Sequence, residues 1–165
     1  MKSVLITGMS GVGKSALLAE LASRGYRTVD TDYGGYYEEV DGERLWRRDR
    51  TEALLRAAAS DGEGSEDSED LLFIQGTTRN QGSFYPWFGD VVLLSAPVDE
   101  LIRRLTTRTT NPYGKDPAEL AETLEYVETV EPLLRASATL EVVTTVPVSV
   151  VADRVLAHVL GSSGA

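Results

Sequence analysis

The chain has 165 residues, of which 42% are hydrophobic and 25% are charged, a balance typical of one globular domain with its own core. Its formal net charge of −10 argues against a nucleic-acid-binding surface, and the absence of cysteine excludes disulfides and thiolate metal sites. No apolar stretch approaches the roughly 20 residues that span a bilayer, and Met1 leads almost directly into a strand, so we expect no membrane partner, no signal peptide and a cytoplasmic location.

The first predicted strand, Val4–Thr7, and the first predicted helix, Lys14–Ser23, flank the motif Gly8-x-x-x-x-Gly13-Lys14-Ser15. A strand before this motif and a helix after it are typical of a phosphate-binding loop, in which glycines let backbone amides curl around phosphate oxygens. Lys14 is predicted to reach the β- and γ-phosphates as a catalytic cation, and the Ser15 hydroxyl to ligate Mg²⁺. We predict a nucleoside triphosphate site made by Gly8, Met9, Ser10, Gly11, Val12, Gly13, Lys14, Ser15 and Ala16.

The second predicted strand, 26–30, ends in Asp30-Thr31-Asp32. Mg²⁺ keeps several waters and few protein oxygens, so Asp30 is predicted to hold a Mg²⁺-bound water. Asp32 is predicted to contact the substrate and to accept the proton of an attacking hydroxyl, as the catalytic carboxylate does in kinases. The alternative is a solvated turn at the end of a strand, a position that aspartate favours.

Residues 33–60 are predicted to form an acceptor-binding region. A turn rich in glycine and tyrosine, Tyr33–Tyr37, precedes an amphipathic helix predicted over Glu43–Ala59. Of the arginines on this helix, only Arg47, beside Trp46, is assigned to the substrate, and the alternative is the polar face of a helix. Residues 60–70 are predicted to be a flexible, solvated acidic loop, since 61–70 holds six carboxylates and no cation.

A third predicted strand, Leu71–Ile74, is followed by a polar loop at 75–81. This loop offers many hydrogen-bonding groups, and loops at strand ends commonly carry function. We predict that it contributes four substrate contacts, although an ordinary surface loop is the alternative: Gln75, Gly76, Arg79 and Asn80.

The next predicted elements are the strand Val91–Leu94 and the helix Asp99–Thr107, which leads into a loop rich in proline, glycine and asparagine. Residues 108–117 are interpreted as a lid. Arg104 and Arg108 are four residues apart and so share one helix face, and both are predicted to stabilise the charge of a transferring phosphoryl group. Three further elements and a tail are predicted: the helix Pro117–Ala138, kinked near Pro132, the strand Leu140–Thr144, the helix Val148–Leu160, and a frayed end at 162–165.

Five short apolar strands that alternate with helices predict a three-layer α/β fold of the P-loop NTPase type: a parallel five-stranded sheet with helices on both faces and a lid, in a single domain over 1–161. Ligands bind such sheets at the carboxyl ends of the strands. The sequence has no Asn-Lys-x-Asp motif of the kind that GTPases use to read a base, and no strand ends in the Asp-Glu pair usual in large ATPases. A compact kinase with a mobile lid is the remaining interpretation.

These motifs resemble the shikimate kinase and gluconate kinase branch of the nucleoside-monophosphate-kinase-like P-loop proteins, within the AAA-type P-loop superfamily. The resemblance covers most of the chain: the phosphate loop, Asp30-x-Asp32, Trp46-Arg47, the stretch from Val91 into the lid, and Thr144-Thr145-Val146-Pro147. It implies that Asp30 supports Mg²⁺, that Asp32 contacts the acceptor hydroxyl, and that Arg47 clamps an acceptor carboxylate. It also implies that the nucleotide contacts Arg104, Thr145 and Pro147.

Two departures from the family pattern stand out. Shikimate kinases carry a triple glycine where this chain has Gln75-Gly76-Thr77-Thr78, and an arginine where it has Val130. One carboxylate clamp is therefore missing, and shikimate itself is an unlikely acceptor.

The sequence thus predicts a phosphotransferase that moves the γ-phosphoryl group of Mg²⁺-ATP to a hydroxyl of a small metabolite. Its cofactors would be ATP and Mg²⁺, and its partner a small-molecule acceptor rather than a nucleic acid. Three alternatives remain open: a nucleotide-binding regulatory ATPase or switch, a nucleoside or nucleotide kinase, and a kinase that modifies aminocyclitols or antibiotics. The sequence leaves monomer and homodimer equally open.

Overall fold

The computed structural model describes residues 1–61, 70–109 and 111–161. Most of the predicted acidic loop, residue 110 of the predicted lid and the predicted tail at 162–165 lie outside the described residues. In chain order the described elements are β1 (Lys2–Thr7), α1 (Lys14–Ser23), β2 (Arg27–Asp30), β3 (Tyr37–Val40), β4 (Glu43–Trp46), α2 (Arg48–Asp61), β5 (Leu71–Gln75), a 3₁₀ helix (Gln81–Trp87), β6 (Asp90–Ser95), α3 (Val98–Thr107), α4 (Pro117–Thr129), α5 (Glu131–Ser137), β7 (Leu140–Val143) and α6 (Val148–Gly161).

The central sheet has five parallel strands in the order β2-β5-β1-β6-β7. β1 lies in the middle, and Val4 pairs with Phe73 of β5 on one side and with Asp90 of β6 on the other. The sheet order brings the ends of β1, β2 and β5 together at one edge, where the phosphate loop and Asp30 stand. The predicted α/β fold with a parallel five-stranded sheet is confirmed.

Helices cover both faces of this sheet, and each face has its own hydrophobic cluster. Side chains alternate along β1, so Val4 and Ile6 pack with α1 and α6, whereas Leu5 packs on the opposite face with α2. All three are fully buried, as expected for a strand covered on both sides. Among the described helices, none is both long and apolar enough to cross a membrane.

The prediction of one helix over Glu43–Ala59 is wrong at its start. Residues 43–46 form the strand β4, which pairs with β3 as an antiparallel hairpin, and the helix begins only at Arg48. The hairpin turns at Asp41 and Gly42, whose φ angles are +51° and +80°. Two successive left-handed residues are what a two-residue hairpin turn requires, and Asp-Gly favours that turn.

The prediction of one kinked helix over Pro117–Ala138 is also corrected. The chain forms two helices, α4 and α5, which meet at Val130. Pro132 lies in the first turn of α5, where its missing N–H costs no helical hydrogen bond. The end of the predicted polar loop, at Gln81, begins a 3₁₀ helix instead.

Candidate active site

The phosphate loop joins β1 to α1, and three of its glycines have left-handed φ angles: +150° at Gly8, +88° at Gly11 and +100° at Gly13. A Cβ atom added at Gly8 would lie 2.4 Å from the main-chain oxygen of Leu94. Gly8 therefore needs to be glycine for both its backbone angle and its close approach to β6. The loop lies at the N-terminus of α1, where backbone amides and the helix dipole favour an anion.

The Lys14 side chain folds back over the loop. Its ammonium donates hydrogen bonds to the main-chain oxygens of Gly8 and Met9, the latter at 3.2 Å. Burial lowers the pKa of Lys14 to about 8, although the nearby carboxylates of Asp32 and Asp30 act in the opposite direction. A phosphate in the loop would restore a strong charge partner to this ammonium and so favour its protonated form.

A single side-chain amide connects the two predicted functional carboxylates. Gln75 Nε2 donates to Asp30 Oδ1 and, at 3.2 Å, to Asp32 Oδ2. The Asp32 backbone N–H also donates to Asp30 Oδ1, at 3.0 Å. Gln75 is 1% exposed, and its Oε1 has no hydrogen-bond partner among the described residues. The sequence predicts that Gln75 contacts the substrate. In the structure Gln75 lines neither cavity, and its amide donates to both carboxylates.

Arg44, on strand β4, reaches Asp32 from the opposite side. Its guanidinium lies 3.7 Å from Asp32 Oδ1 and 3.8 Å from the centroid of the Tyr37 ring. The hairpin thus places Arg44 in the polar cavity, although the sequence did not mark this arginine as a site residue. Its sequence signal was Asp41-Gly42, a turn pair between two short segments with strand character.

The loop after β5 is fastened to the phosphate loop through Thr77. Its hydroxyl donates to the Gly8 oxygen at 2.8 Å and lies 3.2 Å from the Gly8 nitrogen. Gln81 accepts from the Thr78 N–H at 2.9 Å and also bonds the Thr7 hydroxyl. These bonds fix the polar loop as one wall of the site.

Two cavities open around the phosphate loop. The apolar cavity has a volume of about 290 Å³ and is lined by Gly11, Val12, Gly13, Ala16, Leu17, Arg104, Thr144, Val146, Val148 and Val151. The polar cavity has a volume of about 940 Å³ and is lined by Gly8, Met9, Ser10, Lys14, Ser15, Asp30, Asp32, Tyr33, Arg44, Thr77, Arg108, Asn111, Pro112, Tyr113, Glu122, Thr123 and Tyr126. All nine loop residues predicted to bind the nucleotide line one cavity or the other.

The two predicted catalytic arginines lie in different cavities. Arg104 donates to the main-chain oxygens of Gly11, at 3.2 Å, and Thr144, at 2.6 Å, and so ties the loop to the apolar cavity. Arg108 lies beyond the last turn of α3, in extended backbone, and enters the polar cavity. It donates to the Tyr113 oxygen at 2.7 Å and lies 3.5 Å from Ser10 Oγ. The two arginines were expected to share one face of a helix, but α3 ends at Thr107, between them.

Several predicted substrate contacts line neither cavity. Arg47 pairs with Asp49 at 2.9 Å, and Arg79 pairs with Glu43 at 2.9 Å. Asn80 donates to the Trp46 oxygen at 2.9 Å and accepts from the Trp46 N–H at 3.1 Å, so that it fastens the hairpin to the loop. These polar groups are therefore bonded to other residues of the same chain.

Gly76 also lines neither cavity, although it is predicted from the sequence to contact the substrate. A Cβ atom there would lie 2.5 Å from Thr31 Oγ1 and 2.6 Å from the Trp46 ring. This glycine therefore allows the close packing of β2, β4 and β5 beneath the site.

Near the C-terminus, the residues that line the apolar cavity differ from the two that the sequence predicts to contact the nucleotide. The apolar cavity is lined by Thr144, Val146 and Val148, whereas Thr145 and Pro147 are not among its lining residues. Thr144 Oγ1 donates to the Val12 oxygen at 2.7 Å and so joins this segment to the phosphate loop.

The residues that sequence reasoning missed lie mainly on the lid and on α4. Tyr113, Glu122 and Tyr126 line the same polar cavity as Asp32. The spacing of four between Glu122 and Tyr126 predicts a shared helix face, but no motif marks that face as part of a site.

The oxygen atoms present suit the cation that the fold implies. The Ser15 hydroxyl and the Asp30 carboxylate line the same cavity as Lys14, and Mg²⁺ prefers oxygen ligands together with several waters. No group of three or more His, Cys, Asp or Glu in the described parts of the chain could hold a metal by itself. The arrangement fits an ion shared with phosphate oxygens.

Comparisons with known proteins give a family and a fold. The profile of a protein family described as AAA domain matches residues 4–125. A search of curated proteins found no match. Among solved structures, the chain is similar to shikimate kinase from Acinetobacter baumannii in complex with shikimate, at 17% identity and a TM-score of 0.63, over 100% of this chain and 96% of that chain.

Two further structures give the same picture. A gluconokinase from Sinorhizobium meliloti is 18% identical with a TM-score of 0.55, over 98% of this chain and 93% of that chain. A sugar kinase from Janibacter sp. is 16% identical with a TM-score of 0.56, over 94% of this chain and 92% of that chain. These likenesses establish the P-loop kinase fold and confirm the resemblance to small-molecule kinases.

Proposed function

Since this chain belongs to the AAA domain family, we propose that it is a kinase that transfers the γ-phosphoryl group of Mg²⁺-ATP to a hydroxyl group of a small metabolite. One observation carries the proposal: Lys14 of the phosphate loop and the Asp30/Asp32 pair line the same polar cavity, beneath Arg108 and the lid. A phosphate-binding loop alone serves many functions, but a carboxylate beside it, facing a cavity that can hold an acceptor, favours transfer.

In this proposal the nucleotide spans both cavities. Its base occupies the apolar cavity beside Val146 and Val148, and its phosphates lie on the backbone amides of residues 8–16, with Lys14 at the β- and γ-phosphates. Ser15 and Asp30 hold Mg²⁺, Asp30 through water, and this ion when bound neutralises phosphate oxygens during transfer. Arg104 keeps the loop and the base-binding segment together.

The acceptor occupies the polar cavity. Asp32 accepts the proton of its hydroxyl, the hydroxyl oxygen forms a bond to the γ-phosphorus, and the bond to the β-phosphate oxygen breaks to release ADP. Arg108 offsets the charge on the transferring group. Lid residues 111–113 line the cavity already, and their position supports exclusion of water, which would otherwise compete with the acceptor.

The composition of the chain bears on its partner and on its location. The net charge of −10 supports a small-molecule partner over a nucleic acid, and we expect a cytoplasmic enzyme.

The test measures ADP release from Mg²⁺-ATP with a panel of nucleosides, nucleotides, sugar acids, neutral sugars, cyclitols and amino sugars. We expect one acceptor class to raise ADP release well above the rate in water. Lys14→Ala should lower that rate roughly a hundredfold or more, because a preorganised charge at the transferring group is lost. Arg154→Ala, which removes an exposed cation of α6 that lines neither cavity, is the matched control.

Two results would overturn the proposal. Turnover that is unchanged in Lys14→Ala would show that the phosphate loop does not carry the reaction. ATP binding with slow hydrolysis that no acceptor accelerates would favour a nucleotide-dependent switch, and a search for a protein partner would follow.

A further inference from the structure

One wall of the polar cavity, the lid wall, is formed by the lid and by α4. It is lined by Tyr113, Glu122, Thr123 and Tyr126. The Tyr113 hydroxyl donates to Glu122 Oε1 at 3.2 Å. A carboxylate and two phenols therefore face whatever molecule enters beside Asp32.

The cations that line the polar cavity contact groups other than Glu122. Lys14 and Arg108 lie at the phosphate loop, where they would meet the nucleotide. Arg44 lies 3.7 Å from Asp32 and rests on the Tyr37 ring. Arg79 lies outside the cavity, where it pairs with Glu43 at 2.9 Å, although its charge acts to lower the pKa of Tyr126.

Glu122 is left without a cation. None of the ion pairs among the described residues, taken at 4.0 Å or less, includes it. Burial raises the pKa of Tyr113 and of Tyr126 above the ordinary value, and the Glu122 charge acts in the same direction on both. Glu122 is exposed, so a positive charge that enters the cavity beside the lid wall can reach its carboxylate.

We infer that the acceptor carries a protonated amino group that binds Glu122, in addition to the hydroxyl that is phosphorylated at Asp32. The chemical class is an amino-bearing polyol, such as an amino sugar or an aminocyclitol. An acceptor carboxylate at the same place would meet a like charge in a partly enclosed cavity, which is unfavourable. Tyr113 and Tyr126 add phenol oxygens and ring faces, both of which attract an ammonium ion. The inference rests on the proposed kinase function.

The experiment compares acceptors that share one scaffold and differ in one group: glucosamine, glucose and glucuronate, with an aminocyclitol as a second amine. Initial rates of ADP release give kcat/KM for each. We expect the amine to exceed the neutral sugar at least tenfold and the acid to be the poorest acceptor.

The variant Glu122→Gln keeps the shape and removes the charge. It should lower kcat/KM for the amine about tenfold, mainly through KM, because a charged hydrogen bond is replaced by a neutral one. It should affect the neutral sugar less than the amine, so that the amine-to-neutral ratio of kcat/KM falls. Glu122→Lys should shift the preference toward the acid. Glu128→Gln, on the same helix but outside both cavities, is the control that removes an equal charge.

The outcomes separate the two proposals. Acceptor-dependent ADP release with a preference for the acid, or an amine-to-neutral ratio that Glu122→Gln leaves unchanged, overturns the amine inference and leaves the kinase standing. Absence of acceptor-dependent release across the series overturns the kinase proposal, and the amine inference with it.

Discussion

The apolar and polar cavities differ in how they are built, although the same loop separates them. The apolar cavity is made by the phosphate loop, α1 and the segment after β7, with few ionisable groups. The polar cavity collects side chains from the ends of β1 and β2, the hairpin, the loop after β5, the lid and α4. In the proposed function, the first would hold a nucleotide through backbone geometry, and the second would hold the acceptor through side chains that substitution can change. A fold built in this way could keep its proposed reaction while its acceptor changes.

The largest effect is expected at Gly8, in the phosphate loop that separates the two cavities. Gly8→Ala forces a Cβ atom toward the Leu94 oxygen, 2.4 Å away, at a left-handed φ angle. We expect Mg²⁺-ATP affinity, measured by calorimetry, to fall roughly a hundredfold, about 3 kcal/mol, with a lower Tm as well.

Gly25→Ala serves as the control for Gly8→Ala. Gly25 also has a left-handed φ angle, +94°, but a Cβ atom there would meet nothing within 4 Å. It should cost about 1 kcal/mol of stability and leave ATP affinity unchanged. Equal losses of affinity in the two variants would contradict the role assigned to the Gly8 contact.

Gln75 offers a smaller and more specific change on the polar side. Gln75→Leu removes the amide that bridges Asp30 and Asp32, so both carboxylates lose their shared donor. We expect the apparent KM for Mg²⁺ to rise about tenfold at saturating ATP, as is typical when a residue that orients metal ligands is lost.

A purely structural role for Gln75 gives a different result. It would lower the Tm and the amount of active enzyme, but the midpoint of the Mg²⁺ titration would stay where it is. High Mg²⁺ should restore the rate if Gln75 acts through Asp30.

The smallest effect is expected when nucleotide affinity is measured as a function of pH. The pKa of Lys14 is lowered to about 8 by burial, so the ammonium loses its proton as pH rises through that value. Nucleotide affinity should therefore fall, roughly fivefold to tenfold between pH 7.5 and pH 9, since one unit above the pKa leaves about a tenth of the lysine protonated.

Lys14→Met, which has no titrating group, should bind weakly with a flat profile over the same range. A wild-type profile that is also flat would contradict the assignment of this pKa to the phosphate site.

Much of the fold was predictable because its signals are local. Buried runs such as Val4–Ile6 mark covered strands, and the glycine spacing of the phosphate loop marks its backbone path. The hairpin was harder to predict, since β4 has only four residues and its Leu45 and Trp46 also fit a helical repeat that continues into α2. Its last residue, Trp46, is held by hydrogen bonds to Asn80, 34 residues further along the chain.

The sequence by itself determined the part of the candidate site around the phosphate loop: a parallel sheet, a phosphate loop of nine residues, and two aspartates at the end of the strand that follows it in the chain. Each of these depends on backbone conformation or on position at a strand end, which neighbouring residues dictate. Only the tertiary structure decided that Arg44 rather than Arg47 enters the polar cavity, that Gln75 bonds both carboxylates, and that Glu122 lines the same cavity as they do. Those choices depend on packing between elements up to 90 residues apart, such as Asp32 and Glu122, and no local pattern encodes the direction in which such side chains point.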